Sequence, residues 1–341
     1  MEFLDPGAPM KTYVSDIKEN DSVESTFLVK DKASGITKMG SPYLKVKLGD
    51  RSGEMEGRFW NSTDALAGSF QKDDFVLVRG RAVPFQEHLQ LNLSHIQKVE
   101  EGEVDLYDFL PMTMNDVEAM FESIKELCAE VKDLHLSRLL QRFWEDETFV
   151  RQFKTAPASK WLHHTCLGGL LEHTLSLARL VLRTIGHYEG LNKDLLLTGA
   201  ILHDLGKVTE LSYTRSFDYS DEGRLLGHIL LGIEMVEAKV QQLPDFPKHL
   251  SILLKHLLLS HHGQAVWGSP KKPMTLEAVM LHYLDDMDAK LNGIQQFVKL
   301  QPQDGPRWTS YHRAFEQAYY LPDPWGSMEL PDKSGENETE K

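Results

Sequence analysis

Hydrophobic and polar residues alternate with a period of two over much of residues 12 to 100. Five runs carry the pattern: VESTFLVKDK, YLKVKLGD, GEMEGRFW, DFVLVRGRAVPF and LQLNLSHIQKV. Such alternation, with glycine-containing turns such as LGDRSGE between the runs, predicts five half-buried strands. The segment NSTDALAGSF begins with cap-type residues and predicts a short helix between the third and fourth strands.

The period of the pattern becomes helical after the acidic stretch GEVDLYDFLPM. Helices are predicted over 114–131, 135–151, 160–187, 193–206, 223–243, 248–260, 275–299 and 308–319. Loops that contain proline and glycine, such as QLPDFPKH, separate them. A boundary near residue 105 therefore divides an all-β module from an all-α module.

The strand order resembles a known nucleic-acid-binding fold. The OB-fold has the same order of elements, namely three strands, a short helix and two further strands. In addition, the segment YLKVKLGDRSGEMEGRFW is similar to the OB modules of anticodon-binding and exonuclease proteins. Single-strand binding on such a barrel needs cations and exposed aromatic rings. The preferred candidates are Tyr43, Lys45, Lys47, Arg58, Trp60 and Arg79. Strand aromatics are more often core residues, and the two lysines also fit a solvated face.

Composition and charge narrow the class of protein. The net charge of −14 argues against a broad basic face that coats duplex nucleic acid, although a local basic groove remains compatible with it. Only Cys128 and Cys166 are present, too few for a disulfide framework in a chain of 341 residues. The start of the chain lacks the pattern of a signal peptide, and no run is long enough for a membrane span. A cytoplasmic location is expected.

Histidine and aspartate recur on separate predicted helices or at their ends. The positions are His173, His203 with Asp204, His228, His261 with His262, and Asp285. In an all-α domain, such residues can converge on one site. Imidazole and carboxylate groups suit manganese, iron, cobalt or zinc, and a carboxylate can bridge two cations. Two adjacent cations can clamp both oxygens of an in-line phosphoryl displacement.

The order H, HD, H, H, D resembles the HD superfamily of metal-dependent phosphohydrolases. The resemblance implies two divalent metal ions, with Mn first and Co, Fe, Mg or Zn as alternatives. One ion would bind His173, His203, Asp204 and Asp285, and the other would bind Asp204, His228 and either His261 or His262. Lys207 lies one helical turn beyond His203 and would contact a substrate phosphate if the helix continues. A histidine of the His261/His262 pair, with His262 as the candidate catalytic residue, or bound water would protonate the leaving oxygen.

Several neighbouring residues have two interpretations. His163 and His164 are either structural or substrate-contacting. Asp286 and Asp288 compete with Asp285 for the last ligand position. Alignment with the final aspartate of the superfamily favours Asp285, which leaves Asp288 as an outer partner or a substrate contact.

Three phrases are similar to the bacterial YhaM-type 3′-to-5′ exoribonucleases: GGLLEHTLSL, LLLTGAILHDLGKV with DEGRLLGHI, and LSHHGQAVWGSPKKPMTLEAVMLHYLDDMDAKLN. That family joins an N-terminal OB-fold to a C-terminal HD domain. The predicted fold class is therefore multidomain α+β, a five-stranded OB barrel followed by an all-α HD domain. The predicted divisions are a disordered 1–11, an OB-fold 12–100, a linker and helical cap 101–155, an HD domain 156–322 and a disordered tail 323–341.

The expected activity is metal-dependent hydrolysis of single-stranded RNA or DNA from the 3′ end to 5′-mononucleotides. Single-stranded RNA or DNA is the expected partner, no membrane is involved, and a homo-oligomer is compatible with the sequence. One alternative is a phosphodiesterase or phosphatase of cyclic or small nucleotides whose OB-fold serves assembly. The cyclic-dinucleotide HD-GYP enzymes are less similar, because Gly169 stands where trinuclear members have a glutamate and no GYP motif follows. A binding protein with a decayed site would lack a ligand, and every expected ligand is present.

Overall fold

The computed structural model describes residues 11–37, 39–61, 63–85, 88–160, 164–213, 217–301 and 307–321. His163, the predicted disordered tail and residues 1–10 of the predicted disordered start lie outside the described residues.

The N-terminal module is a closed five-stranded barrel. Its elements are β1 (Ser22–Ile36), β2 (Pro42–Asp50), β3 (Gly53–Trp60), α1 (Asp64–Gly68), β4 (Phe75–Phe85) and β5 (His88–Val99). The strands follow the order β1-β2-β3-β5-β4, with β3 and β5 parallel and the other pairs antiparallel. All five predicted strands and the predicted short helix are present, and the OB-fold prediction is confirmed.

The period-two pattern determines which side of β2 faces the barrel interior. Leu44, Val46 and Leu48 are fully buried, whereas Lys45 and Lys47 point outward. Because adjacent strands keep the same alternation, the outward residues of β2, β3 and β5 form one continuous face. All the predicted nucleic-acid contacts on β2 and β3 belong to this face.

The remainder of the described chain is mainly helical. Its helices are α2 (Val117–Ala129), α3 (Leu134–Trp144), α4 (Glu147–Thr155), α5 (Gly169–Thr184), α6 (Lys193–Leu202), α7 (Lys207–Glu210), α8 (Asp221–Leu225), α9 (Gly227–Val240), α10 (Lys248–Ser260) and α11 (Leu276–Lys299). A small antiparallel pair, β6 (Leu211–Ser212) and β7 (Asp218–Tyr219), follows α7. None of the described helices combines the length and apolar character that a membrane crossing requires.

Several predicted helices are shorter than expected because local caps end them. The predicted helix 135–151 divides where the Asp146 side chain accepts from the Phe149 backbone N–H and starts α4. The predicted helix 223–243 divides at Gly227, whose φ of 75° is left-handed. The predicted helix 160–187 begins only at Gly169, after Gly168 at φ 80°. The predicted helix 193–206 ends at Leu202.

The predicted helix 308–319 is wrong. Residues 307–321 contain isolated bridges between Trp308 and Tyr320 and between His312 and Gln317. Glu316 turns the chain with a φ of 53°, and the Trp308 and Tyr320 rings meet edge to face with centroids 5.5 Å apart. Aromatic pairing across a turn therefore replaces the helix.

Helix α6 lies inside the helical core. Every residue from Leu195 to Leu202 is buried, and the same core includes apolar residues of α5, α10 and α11. A helix that is apolar all round is buried on all sides. The residues that directly follow α6, His203 and Asp204, therefore lie in the interior.

Candidate metal centre

Residues from five helical segments meet around Asp204. His173 lies on α5, His203 and Asp204 follow α6, His228 lies in the first turn of α9, and Asp285 lies on α11. His261 and His262 directly follow α10. The structure therefore brings all seven predicted metal ligands to one place, through the contacts given below.

Asp204 separates the histidines into two groups. On one side, its Oδ2 lies 3.2 Å from His203 Nε2 and 3.6 Å from His173 Nε2. Asp285 completes this group, with its Oδ1 3.2 Å from His173 Nε2. On the other side, Asp204 Oδ1 lies 3.4 Å from His228 Nε2 and 3.6 Å from His261 Nε2. Each carboxylate oxygen thus faces a different pair of imidazoles.

His262 belongs to the second group, in which ligand atoms of Asp204, His228, His261 and His262 all lie within 4.8 Å of one another. Both members of the predicted double histidine are therefore close enough to contribute. His261 is fully buried and His262 is half-buried.

The Nδ1 atom of each histidine is held by a partner outside the centre. His203 Nδ1 lies 2.9 Å from the Ala200 carbonyl and His261 Nδ1 lies 2.8 Å from the Leu258 carbonyl. His262 Nδ1 lies 2.7 Å from the Trp267 carbonyl. A carbonyl can only accept, so each of these Nδ1 atoms carries the proton and each Nε2 presents a lone pair. Such outer partners orient metal-binding histidines.

Carboxylates face the Nδ1 atoms of the other two histidines. His228 Nδ1 lies 2.9 Å from Glu210 Oε1, and His173 Nδ1 lies 3.4 Å from Asp288 Oδ2. The other Asp288 oxygen accepts from the Ser176 hydroxyl at 2.7 Å. Sequence analysis did not identify Glu210. Its only signal was its position seven residues after His203, at the end of α7.

Gly206 permits the close approach that forms the centre. A Cβ atom there would lie 2.1 Å from the His228 carbonyl oxygen and 2.6 Å from the Gly232 nitrogen. Only glycine leaves room for the backbone of α9 against the loop after Asp204. The glycine of the HDLGK sequence thus brings His228 to Asp204.

Lys207 reaches the centre without a continuous helix. Helix α6 ends at Leu202, and the Lys207 backbone N–H donates to the Asp204 carbonyl at 3.0 Å, which forms a tight turn. The Lys207 Nζ then lies 2.5 Å from Asp204 Oδ2. Burial alone would lower the pKa of Lys207, but the negative charge and hydrogen bond of Asp204 outweigh it and raise that pKa.

The electrostatics of the centre depend on its carboxylates. Burial opposes ionisation of Asp204, but the nearby Lys207 and His203 hold its pKa well below the usual range. Burial would lower the pKa of His173, but the neighbouring carboxylates of Asp285 and Asp288 raise it to about 9. Burial and the neighbouring His261 lower the pKa of His262 to about 3.

Three buried atoms indicate that the centre fits metal ions. Asp204 Oδ1, His228 Nε2 and His261 Nε2 have no hydrogen-bond partner within the described part of the chain. Buried polar atoms are normally paired, because leaving one unpaired costs about 1–3 kcal/mol. A divalent cation that accepts nitrogen and oxygen ligands would satisfy all three.

The remaining candidates near the centre have different surroundings. Asp286 points away, with Lys290 Nζ 2.8 Å from its Oδ2. His164 is buried, and its Nδ1 lies 3.5 Å from Glu172 Oε2. Its ring centroid lies 6.0 Å from that of His173. Asp288 and His164 both lie on the outer side of His173, and their predicted substrate contacts remain predictions.

The predicted nucleic-acid residues lie on the barrel. Tyr43 and Trp60 are paired across β2 and β3, with ring centroids 5.6 Å apart. Arg58 lies between them and Phe85, its guanidinium carbon 4.7 Å from the Phe85 centroid. Lys45, Lys47 and Arg79 are exposed. The barrel thus brings together Tyr43, Arg58 and Trp60 in one aromatic cluster.

Comparison with known families agrees with this architecture. Residues 170–290 match the HD domain family, and residues 28–99 match the OB-fold nucleic acid binding domain family of the tRNA anticodon type. The first range contains every predicted metal ligand, and the second contains the aromatic cluster. The chain thus combines an OB-fold with an HD domain. The HD domain indicates a metal-dependent phosphohydrolase, and the OB-fold indicates nucleic-acid binding.

Solved structures include partial matches. The second OB-fold domain of replication protein A from Methanococcus maripaludis is 22% identical, with a TM-score of 0.23, over 27% of this chain and 96% of that chain. The aspartyl tRNA synthetase from Entamoeba histolytica is 12% identical, with a TM-score of 0.25, over 74% of this chain and 60% of that chain. These weak similarities add nothing on function.

Proposed function

We propose that this protein is a metal-dependent 3′-to-5′ exonuclease that hydrolyses single-stranded RNA to 5′-mononucleotides, with single-stranded DNA as the alternative polymeric substrate. The observation that carries the proposal is the position of Asp204, whose two oxygens face two separate histidine pairs. An OB-fold on the same chain supports a polymeric substrate. The 3′-to-5′ polarity comes from the resemblance to YhaM-type exoribonucleases.

Two divalent ions fit the donor set, with Mn²⁺ the first candidate. His173, His203, Asp204 and Asp285 would hold one ion, and Asp204, His228, His261 and His262 would hold the other. Bound there, the ions would supply Lewis acidity and lower the pKa of bound water. The Nδ1 contacts described above keep the Nε2 lone pairs directed inward.

Lys207 is the cationic side chain proposed to meet the substrate phosphate. Its Nζ is anchored at Asp204 Oδ2 and is largely buried, so its charge is fixed in position rather than dispersed in water. A fixed cation stabilises the charge that develops on phosphoryl oxygens.

His262 is better suited as a ligand than as an acid. Its Nδ1 proton is committed to the Trp267 carbonyl at 2.7 Å, so its Nε2 is an acceptor in the neutral ring. We therefore assign protonation of the leaving 3′-oxygen to bound water, the second of the two donors that the sequence suggested.

The division of labour follows the two modules. The OB-fold (12–100) would hold the nucleic-acid strand, and the HD domain (156–322) would hydrolyse its phosphodiester bond. Residues 101–155 would serve as the linker and helical cap between the two modules. A cytoplasmic location fits the two unpaired cysteines, Cys128 and Cys166.

The test is a time course with 5′-labelled single-stranded RNA. Metal-stripped protein is resupplied with Mn, Co, Mg or Zn, and His203→Ala is run beside it. We expect a metal-dependent ladder that shortens from the 3′ end and is absent in the variant. Asp286→Asn is the matched control, because Asp286 neighbours Asp285 but pairs outward with Lys290.

Other outcomes of the time course exclude the proposal. RNA that stays intact with every metal, while cyclic or small nucleotides are hydrolysed, assigns the site to a small-nucleotide phosphodiesterase. Cleavage that begins within the strand excludes an exonuclease. Full activity of His203→Ala excludes the proposed centre.

A further inference from the structure

His282 on α11 is joined to one of the predicted metal ligands. Its side chain is buried, and its Nδ1 lies 2.7 Å from the carbonyl oxygen of His261. A carbonyl can only accept, so His282 Nδ1 carries the proton and donates the hydrogen bond. Asp285 follows His282 by about one helical turn. Helix α11 therefore carries a ligand of the first group and a bond to a ligand residue of the second.

The bond from His282 completes the end of α10. The last carbonyls of a helix lack partners within the helix itself. The carbonyls on either side of His261 accept from the backbone N–H groups of Gly263 and Gln264, at 2.8 and 2.9 Å. His282 donates to the carbonyl between them, from 21 positions further along the chain. The backbone direction at His261 is therefore set by α11 as well as by α10.

The ring of His282 also supports the turn that follows the double histidine. Gly263 has a φ of 75°, and a Cβ atom there would lie 2.3 Å from Cε1 and from Nε2 of the His282 ring. Glycine permits this backbone angle and this close approach together, because it has no side chain. The chain thus leaves His262 in direct contact with the His282 ring.

His262 is connected to His282 through a neighbouring residue. The Trp267 ring lies against that of His282, with centroids 6.2 Å apart and planes inclined by 38°. The Trp267 carbonyl accepts from His262 Nδ1 at 2.7 Å. His282 therefore contacts the residue that orients His262, in addition to the backbone of His261.

We infer that His282 is a positioning residue for the second metal ion. Its hydrogen bond and its packing direct the Nε2 atoms of the double histidine toward Asp204, although His282 itself does not belong to the ligand group. Outer partners of this kind orient metal-binding side chains. The inference rests on the proposed function, because it presumes that a second divalent ion binds in the group formed by Asp204, His228, His261 and His262.

Loss of the His282 donor should weaken the second metal position alone. His282→Leu keeps a buried side chain but removes the bond to the His261 carbonyl. Loss of an outer partner typically lowers metal affinity roughly 10- to 100-fold, and we expect a loss of this size for the second ion. The first ion should bind with unchanged affinity, because the substitution alters no contact described above for His173, His203 or Asp285.

Two amide variants separate the hydrogen bond of His282 from its packing. His282→Asn places an N–H donor at the δ position, the same number of bonds from the backbone as Nδ1, and should restore most of the affinity. His282→Gln places its donor one carbon further from the backbone, on the side where Gly263 lies, and should not restore it. A role in packing alone predicts the opposite order, because a leucine costs less to bury than an asparagine.

The experiment measures metal binding without RNA. Metal-stripped full-length protein is titrated with Mn²⁺. Calorimetry gives the affinities, and electron paramagnetic resonance distinguishes a coupled pair of ions from isolated ions. We expect the coupled signal to appear with the second bound ion in the unmodified protein and, at a similar Mn²⁺ concentration, in His282→Asn. In His282→Leu and His282→Gln, the coupled signal should require roughly 10- to 100-fold more Mn²⁺.

His256→Leu is the matched control. His256 also holds the loop between α10 and α11, but at its far end, where His256 Nε2 accepts from the Met274 backbone N–H at 2.9 Å. This variant should bind both ions as the unmodified protein does. An equal loss of affinity in His256→Leu would assign the effect to loop stability and overturn the inference. Circular dichroism shows whether each variant is folded, and the two amide variants provide the test if His282→Leu unfolds.

The outcomes separate this inference from the proposed function. A coupled signal at an unchanged Mn²⁺ concentration in folded His282→Leu overturns the positioning role and leaves the two-ion centre intact. An affinity of His282→Asn that is no higher than that of His282→Gln also overturns the positioning role. An unmodified protein that binds fewer than two ions at saturating Mn²⁺ overturns the proposed centre, and the positioning role with it.

Discussion

Glu210 holds His228 at two points. One carboxylate oxygen, Oε1, lies 2.9 Å from the His228 Nδ1 and accepts the His228 backbone N–H at 3.0 Å. Burial would raise the pKa of Glu210, but the hydrogen bond from His228 outweighs burial and lowers it. The carboxylate therefore fixes both the ring and the start of α9 relative to Asp204.

Replacement of Glu210 should weaken the second metal position selectively. Glu210→Ala removes both contacts, and loss of such an outer partner typically costs 10- to 100-fold in metal affinity. Glu210→Gln keeps an acceptor oxygen and should retain much of the affinity. Metal titration and elemental analysis should give one bound ion for the alanine variant and two for the glutamine variant. Two ions bound at unchanged affinity by Glu210→Ala would contradict this role.

Asp204→Asn should abolish turnover. Asparagine keeps the volume but offers one carbonyl oxygen where two charged oxygens faced separate histidine pairs. The Lys207 ammonium would also lose its anionic partner. The measurement is RNA hydrolysis together with metal content. Asp286→Asn, the control on the outer side of α11, should keep both its activity and its metal content. A fully active Asp204→Asn protein would exclude the proposal that Asp204 binds both metal ions.

Gly206→Ala should disrupt the centre although it adds only one methyl group. The added carbon would meet backbone atoms of His228 and Gly232, which cannot move aside as a flexible side chain would. Overpacking of this kind typically costs about 1–3 kcal/mol, and here it would also displace His228. The midpoint temperature of thermal unfolding and the metal affinity should both fall. Gly186→Ala is the control, because nothing lies within 4 Å of a Cβ atom there; equal behaviour of the two variants would contradict the packing argument.

Much of the barrel could be predicted from sequence, because one buried face imposes a period of two on each strand. The candidate metal ligands could likewise be identified, because the order H, HD, H, H, D along the chain resembles that of the HD superfamily. Lys207 was expected to face the centre from a continuous helix. It faces the centre instead from a tight turn, which forms because its backbone N–H donates to the Asp204 carbonyl.

Features that depend on spatial neighbours could not be predicted. The partnership of Glu210 with His228 joins residues 18 positions apart, which no periodicity connects. The ion pairs of Lys45 with Glu56 and of Lys47 with Glu54 depend on the register of β2 against β3, since alternation alone gives the face but not the neighbouring residue on the next strand. The N-cap at Asp146 and the left-handed turn at Gly227 interrupt runs whose apolar pattern continues through them.

Asp146 provides a prediction on pH and stability. Its side chain caps α4 at the Phe149 N–H, and its Oδ2 lies 2.8 Å from Lys239 Nζ. The hydrogen bond from Lys239, followed by that from Phe149, lowers the pKa of Asp146. Because the folded pKa lies below the unfolded value, the stabilisation is complete above the unfolded pKa and disappears as the pH falls through the folded pKa.

Asp146→Ala should therefore lower the free energy of unfolding by about 1 kcal/mol at neutral pH, the usual effect of losing an N-cap. The difference from the unmodified protein should stay constant down to about pH 5 and shrink below about pH 4. Denaturant titrations at each pH, followed by the circular dichroism signal of the helices, measure this difference in the free energy of unfolding. Lys239→Met retains the cap and should cost less, since it removes only the partly buried ion pair and keeps an apolar side chain of similar length. A difference that grows on acidification would contradict the assigned sign.

Metal binding should stabilise the helical domain more than the barrel. Three buried atoms of the centre, Asp204 Oδ1, His228 Nε2 and His261 Nε2, have no hydrogen-bond partner in the described segments, so chelation leaves them unsatisfied. A metal that binds only the folded state adds about 2.7 kcal/mol per site when its concentration is 100 times its Kd.

Thermal unfolding of the chelated protein, with and without added Mn²⁺, tests this coupling. We expect the helical transition to shift upward with metal concentration while the barrel transition stays in place, because none of the described barrel side chains belongs to the centre. The shift should disappear in His203→Ala, which removes a ligand from the first group, and persist in Asp286→Asn. A metal-dependent shift of equal size in His203→Ala would mean that the ion binds elsewhere on the chain and that the cluster around Asp204 is held by its own hydrogen bonds.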